Sequence, residues 1–298
     1  MRPMCQGLEA VTSYVVGLDG SEHAKAGLEW ARGVAGADEE IVVAHSWEVP
    51  IVTGYEAVAP VDALDVERIA GEFLDEAVSS SGDSRITGRL VTGHPGRTLV
   101  DLAEEVGEPV TIVVGHGGSS KASLLFGSTA HYVIHHTRRP VVVVRGNARL
   151  PVRRVVVGVD EGRRHEPDAP SLAALRWAFT LPGVEEVQVA HADFVPGVAA
   201  GPVREPGVES DEETTEDDAA LRATISQATD GTGVAPSGAA IVPVVAAGTG
   251  AFALIEASLE ADLVVIGTRG RRGLVELVTG STGLDVTAHA HCPVAVVH

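Results

Sequence analysis

Near its C-terminal end the chain reads GTRGRRGLVELVTGST (267–282), four glycines and three arginines set directly after the apolar run DLVVI (262–266). The spacing is Gly267-x2-Gly270-x9-Gly280-Ser281. Glycines after a buried-type strand let backbone approach a ligand closely and take up positive φ. Consecutive N–H groups in such a turn form an anion-binding nest, and a following helix N-terminus adds its dipole. The expected ligand end at this loop is therefore anionic, with phosphate favoured, and Arg271 is a candidate phosphate contact. Gly280 and Ser281 are expected at the start of a last helix aimed at the same place.

The loop needs a strand before it and a helix after it, and the chain supplies that arrangement twice. YVVGLDGSEHAKAGLEWARGVA (14–35) matches VVVGVDEGRRHEPDAPSLAALRWAF (155–179), each running from valines through Gly-x-Asp to Leu-x-Trp-Ala. VVAHSWEVP (42–50) matches QVAHADFVP (188–196), and RRPVVVVR (138–145) matches HCPVAVVH (291–298). TIVVGHGGSSKASLLFGSTAHYV (111–133) matches the glycine loop and its flanks (263–286). Four matched blocks in one order read as a tandem duplication, with domains at 1–148 and 149–298 and the join in GNARLPV (146–152). Each half reads strand, helix, strand, long segment, helix, strand, helix, strand. This alternation predicts α/β architecture, two doubly wound parallel-sheet domains with helices on both faces. Leu28, Ala31 and Val34, like Leu172, Leu175 and Ala178, sit at helical spacing. Ser21 and Ser171 are the expected N-caps of those helices, and a further helix is expected at 219–228.

Composition narrows the function. Of 298 residues, 41 are acidic and 22 basic, a net charge of −19, which argues against a nucleic-acid polymer as partner. Aromatics are 4% while 45% of residues are apolar, so the cores must be aliphatic. Two isolated cysteines without CxxC spacing suit a reducing compartment, and no apolar run reaches membrane-spanning length. A cytoplasmic location without membrane attachment is expected. Gly-Lys-Ser/Thr, GxSxG and HExxH are all missing from the sequence, so neither a vigorous P-loop ATPase nor a serine or zinc hydrolase is indicated. His131 and His135 stand four apart but read as a solvated helix face.

With the glycine spacing, an aspartate ending the first strand of each half (Asp19, Asp160) and the duplication, the sequence resembles the universal stress protein family. The resemblance implies an adenine-nucleotide-binding fold, adenine near that aspartate and the end of the second strand (Ser46, Ala192), and phosphates and ribose on the glycine loop and Gly-Ser. In the first half those positions are Gly115, Gly118, Gly127 and Ser128; in the second, Gly267, Gly270, Gly280 and Ser281. ATP with Mg²⁺ is the implied ligand, in a stress-response role with little or slow hydrolysis. Two other readings stand beside it: a scaffold without ligand, and an adenine-nucleotide-dependent enzyme of the alpha-hydrolase type. The resemblance also implies that the last strands pair between domains, here within one chain; whether two chains then pair again as a homodimer is left open by the sequence.

The halves depart from the pattern in opposite ways. Only eight residues separate Gly118 from Gly127, one short; counting from Gly117 restores nine but shortens the first gap. One missing residue displaces a chain by roughly 3.5 Å. In the second half Asp160 and Trp177 are 17 positions apart, against 11 for Asp19 and Trp30, and the insertion GRRHEPDAP (162–170) stands where adenine is expected.

Overall fold

The structure is a computed structural model that describes residues 12–48, 62–117, 127–145, 148–160, 169–193, 216–268 and 280–298. The first half contains β1 (Ser13–Gly17), α1 (Glu22–Val34), β2 (Glu40–Trp47), α2 (Ala63–Ser81), β3 (Ile86–Thr92), α3 (Pro95–Val106), β4 (Val110–Gly115), α4 (Ser128–His136) and β5 (Val141–Val144). The second repeats the series as β6 (Arg154–Gly158), α5 (Ala169–Thr180), β7 (Glu186–Asp193), α6 (Glu216–Ala228), β8 (Ala240–Ala247), α7 (Gly250–Ala257), β9 (Leu263–Gly267), α8 (Gly280–His289) and β10 (Val294–Val297). Each half has five strands and four helices among the described residues, one βα pair more than the sequence reading gave.

All ten strands form one sheet, ordered β3-β2-β1-β4-β5-β10-β9-β6-β7-β8. Pairing is parallel within each half and antiparallel at the centre, where Val294 faces Val143 and Val296 faces Val141. The expected intrachain pairing of the two last strands is this seam. Its strands are all-valine or nearly so, VVVV and VAVV, and every residue in them is buried. Continuous aliphatic runs suit strands covered on both faces, because neither side of the pleat meets water.

The sheet separates two apolar layers. On one face Tyr14, Val16 and Val157 pack with Leu28 and Trp30 of α1, Leu74 of α2, Leu175 of α5 and Leu221 of α6. On the other, Val15, Val143 and Val264 pack with Leu99 of α3, Ile134 of α4, Leu254 of α7 and Val286 of α8. Both layers run without a break across the seam. Alternate strand residues feed alternate layers because strand side chains alternate in direction.

Ser21 caps α1 as expected, its Oγ accepting the Ala24 N–H at 3.2 Å. Ser171 does not cap α5. That helix begins at Ala169, with Pro170 in its first turn, where a missing N–H costs nothing. Ser171 is buried inside the helix and its Oγ accepts the Asp160 N–H at 2.9 Å, tying helix to strand end.

Candidate nucleotide site

In each half the strand order reverses direction between the first and fourth strands, β1 and β4 or β6 and β9. Connections leave such a switch point in opposite directions, and ligands of open α/β sheets bind in the crevice at the strand carboxyl ends. In the first half that crevice is a cavity of about 630 Å³, within the range of small-molecule sites.

Its walls are strand ends and helix starts. Leu18 and Asp19 follow β1, Ala44 and Ser46 lie on β2, and Gly115 ends β4. Ser21 and Ala24 come from α1, Pro95 and Thr98 from α3, and Ser128, Thr129 and Ala130 from α4. Three helix N-termini thus converge on one space. α1 is capped by Ser21, whereas neither His94 before α3 nor Gly127 before α4 provides a side-chain cap. The first N–H groups of a helix have no intrahelical acceptor. In α4 the intrahelical ladder starts with the His131 N–H donating to the Gly127 carbonyl, which leaves the N–H groups of Ser128, Thr129 and Ala130 at the cavity wall. Those donors and the helix dipole make this end of the cavity receptive to an anion.

The glycines serve two different ends. A Cβ on Gly115 would stand 2.5 Å from the His23 carbonyl carbon, and one on Gly267 would stand 2.4 Å from the Pro170 carbonyl oxygen. The first glycine of each motif is therefore required by the fold, since α1 and α5 start against the strand end. Gly117 has φ +63°, and its Cβ would stand 3.0 Å from the Gly127 Cα. The Gly127 N–H donates to the His116 carbonyl at 2.6 Å. Gly117 and Gly127 thus close the floor of the cavity, and the interval of nine residues between them is the one that has a geometric counterpart here.

Asp19, Ser46 and Glu48 bring polar side chains to the same cavity from the ends of β1 and β2. The Asp19 Oδ1 accepts the Ser21 N–H at 2.9 Å, and its exposed carboxylate keeps acceptor capacity for a ligand donor. His45 fixes the neighbouring strand end: its Nδ1 lies 2.7 Å from the Leu18 carbonyl and its ring 4.9 Å from Phe73. His191 stands at the matched place, Nδ1 3.4 Å from the Val159 carbonyl.

Five sequence-predicted residues, Asp19, Ser46, Gly115, Gly127 and Ser128, line this one cavity. Gly118 lies outside the described residues. In the second half Asp160 is exposed at the end of β6, Ala192 is half-buried on β7, Gly267 ends β9, and Gly280 and Ser281 open α8. Gly270 and Arg271 lie outside the described residues, as does most of the inserted loop. The sequence reading missed Gly93, Pro95 and Thr98 of the β3–α3 turn, and Glu48. A fifth pair of matched segments marks that turn: TGHPGRTL (92–99) and AGTGAFAL (247–254), in which Gly93 and Gly248 have φ of +123° and +122°.

Burial sets the protonation of two groups beside the glycine turns. His116, next to Gly117, is pushed down to about 4 by burial and by the Arg145 cation, and its buried Nε2 has no hydrogen-bond partner. His298 is pushed down to about 4 by burial, with His135 and Arg138 adding to the effect. Both imidazoles are neutral at pH 7. No group of three His, Cys, Asp or Glu residues that would hold a metal ion occurs among the described residues, and no described helix is long and apolar enough to cross a membrane.

A family model described as the universal stress protein family matches the chain twice, over 13–145 and 151–298. A universal stress protein of Mycobacterium tuberculosis (strain ATCC 25618 / H37Rv) is 27% identical over 299 residues, covering 95% of either chain. One from Mycolicibacterium smegmatis is 25% identical over 312 residues, 97% of this chain and 99% of its own. Among solved structures, a universal stress protein from Archaeoglobus fulgidus superposes with a TM-score of 0.65 at 20% identity, covering 96% of this chain and 97% of its own. That likeness establishes the shared fold.

Proposed function

The chain belongs to the universal stress protein family, and on that premise we propose that it binds adenine nucleotide, ATP in preference, and acts by occupancy and not by rapid turnover. The observation that carries this reading is the uncapped α4 N-terminus in a cavity that also holds Asp19 and Ser46 at the ends of β1 and β2. Phosphates suit the α4 start, where the N–H groups of Ser128, Thr129 and Ala130 and the helix dipole face the space. Adenine and its amino group suit the strand ends that carry Asp19 and Ser46, where a carboxylate and a hydroxyl offer acceptors. Gly118 belongs to the phosphate end in this reading.

The second half carries the corresponding site on Asp160, Ala192, Gly267, Gly270, Gly280 and Ser281, with Arg271 as an added cation for phosphate. The halves divide at 148/149. Mg²⁺ suits an arrangement in which phosphate oxygens and water supply most ligands, as that ion prefers; the carboxylates near the first cavity are Asp19 and Glu48. The protein works in the cytoplasm, in a stress-response or regulatory role.

The test is to strip the purified protein of nucleotide under denaturing conditions, identify what is released by mass, and titrate the refolded chain with Mg·ATP, AMP and cyclic AMP by calorimetry. Gly127→Val places a branched side chain against Gly117 and into the cavity, and it should weaken binding at the first site by about tenfold or more, a loss of about 1.4 kcal/mol. Gly270→Val should likewise weaken binding at the second site. Phosphate release from ATP should remain near background. Absence of binding heat with all three nucleotides would refute the reading.

A further inference from the structure

The two candidate sites lie on opposite sides of the β5–β10 seam, and the residues that end those strands connect them. The His116 N–H, in the first glycine turn, donates to the Val144 carbonyl at the end of β5 at 2.8 Å. The next residue, Arg145, is half-buried and its Nη1 donates across the seam to the Thr287 carbonyl of α8 at 3.2 Å. α8 is the helix whose N-terminus, Gly280-Ser281, belongs to the second site.

The pseudo-symmetric arrangement runs the other way. The Thr268 N–H, directly after Gly267, donates to the Val297 carbonyl at the end of β10 at 2.8 Å. The next residue, His298, has its Nδ1 3.0 Å from the Thr268 Oγ1. Because β10 runs antiparallel to β5 with Val296 facing Val141, the register carries His298 to the connection between α4 and β5, near enough to His135 and Arg138 for their charge to act on it. α4 is the helix whose uncapped N-terminus lines the first cavity. Each site's helix therefore ends beside the strand terminus that is hydrogen-bonded to the other site's glycine turn.

We propose that the two sites are coupled through this crossed pair of contacts, α8–Arg145–His116 and α4–His298–Thr268, so that filling one site alters the order of the other site's helix and turn. The proposal rests on the nucleotide reading above. Its physical content is short. Phosphate on the α4 N-terminus and the Gly117 turn fixes two elements, and each of them meets a seam residue bonded or facing into the second half. Both apolar layers are continuous across the seam, so displacement is transmitted and not absorbed, as close packing requires. The contacts are unequal by composition: a guanidinium beside an imidazole in one, an imidazole beside a hydroxyl in the other.

Hydrogen exchange by mass spectrometry tests it on the full chain. Ala192→Trp fills the second site, so that Mg·ATP loads the first alone, and calorimetry on the same sample reports loading. Exchange in residues 283–289 of α8 should then slow by about fivefold or more, the lower end of ordinary coupling. Arg145→Gln should remove the response while Mg·ATP still binds; Arg145→Met keeps the buried aliphatic volume and replaces it if the glutamine variant does not fold. In the reciprocal arm, Ser46→Trp closes the first site, and exchange in residues 131–137 reports on filling the second, with His298→Phe as the cut. Binding to the first site with unchanged α8 exchange would overturn the coupling and leave the nucleotide reading standing. A response that survives both Arg145 variants would overturn the route. Absence of binding heat with Mg·ATP, AMP and cyclic AMP in the unmodified chain would end the nucleotide reading, and the coupling with it.

Discussion

Gly115→Ala offers the sharpest test of which glycines serve the fold. The added Cβ would lie 2.5 Å from the His23 carbonyl carbon, 2.7 Å from its oxygen and 2.8 Å from the Ala24 nitrogen. All three are backbone atoms of the first turn of α1 or its immediate approach, so no side chain can rotate away. The helix must shift by about 1 Å to restore ordinary contact, against Trp30 and Ala31, which are fully buried. Overpacking of a filled core costs about 1–3 kcal/mol, and rigid backbone on the receiving side argues for the upper end. A loss of about 3 kcal/mol lowers Tm by roughly 6–12 °C in a domain of this size. Gly27→Ala is the matched control on the same helix. Its Cβ would meet Val113 at 3.6 Å and the Gly115 nitrogen at 3.7 Å, ordinary contacts, and alanine in a helix gains about 0.5–1 kcal/mol over glycine. Differential scanning calorimetry without nucleotide reads both. A Gly115→Ala chain melting with the unmodified protein would refute the close-approach reasoning, and with it the claim that Gly115 and Gly267 are structural.

Other outcomes follow from the same geometry. His298 is held neutral by burial with His135 and Arg138 beside it, its pKa pushed from 6.5 to about 4. The unfolded chain takes up that proton first, so the stability His298 contributes is complete above pH 6.5 and is lost as pH falls towards 4; the ideal loss of about 2 kcal/mol by pH 5 falls to about 1 for a partly exposed ring. His298→Phe should flatten the fall of Tm between pH 7 and pH 5, and an unchanged slope would show that the imidazole is not the source. Arg85 donates to the carbonyls of Ala35, Gly36 and Arg32 at the end of α1 while pairing with Asp83, whose carboxyl it holds below the usual range. Arg85→Ala should cost about 2 kcal/mol in urea denaturation, and an unchanged midpoint would show these bonds to be exchanged evenly for water. Cys292 is buried, with its thiol pushed up to about 12 by burial and by Asp262. Peptide mapping after iodoacetamide should find it unmodified in native protein and alkylated in urea; rapid native alkylation would contradict that burial.

What was legible in the sequence follows the strength of the local signal. Val141–Val144 and its partner VAVV announced buried strands because a residue covered on both faces needs no polar alternation. Ser21 announced a helix start because its hydroxyl supplies an N–H acceptor directly. The strands that escaped notice, β3 and β8, are the two edges of the sheet. β3 exposes Thr87, Gly88 and Arg89 in succession, and β8 carries Pro243 in its interior, which an edge tolerates and a central strand does not. Losing those strands hid the β3–α3 turn, and so Gly93, Pro95 and Thr98 went unassigned, although their segment has a matched copy 155 positions later. Ser171 misled for a different reason. A serine just before an apolar helical run is the usual cap signature, whereas α5 already begins at Ala169 with Pro170 in its first turn.

The glycine motif itself divides on the same principle. A spacing pattern registers that a side chain is missing at a position and is silent on what would collide with one. At Gly115 and Gly267 the collision is with the helix that follows the first strand, so any chain with this βα packing needs glycine there, with or without a ligand. At Gly117 the need is positive φ and contact with Gly127 at the wall of an open cavity. Only the latter pair speaks to binding. It is also the pair whose nine-residue interval was obscured when the count started from Gly118. The weight of the functional reading therefore rests less on the number of glycines than on helix N-termini that have no side chain to cap them and a cavity beside them. An N-terminus turned to solvent can be satisfied by water. Several gathered around one cavity aim dipoles of one sign into it, and α4 adds free donors, while the side-chain charges of its lining, Asp19 and Glu48, are negative. Backbone N–H groups bind an anion without placing a permanent cation there, which reconciles a phosphate site with a chain of net charge −19.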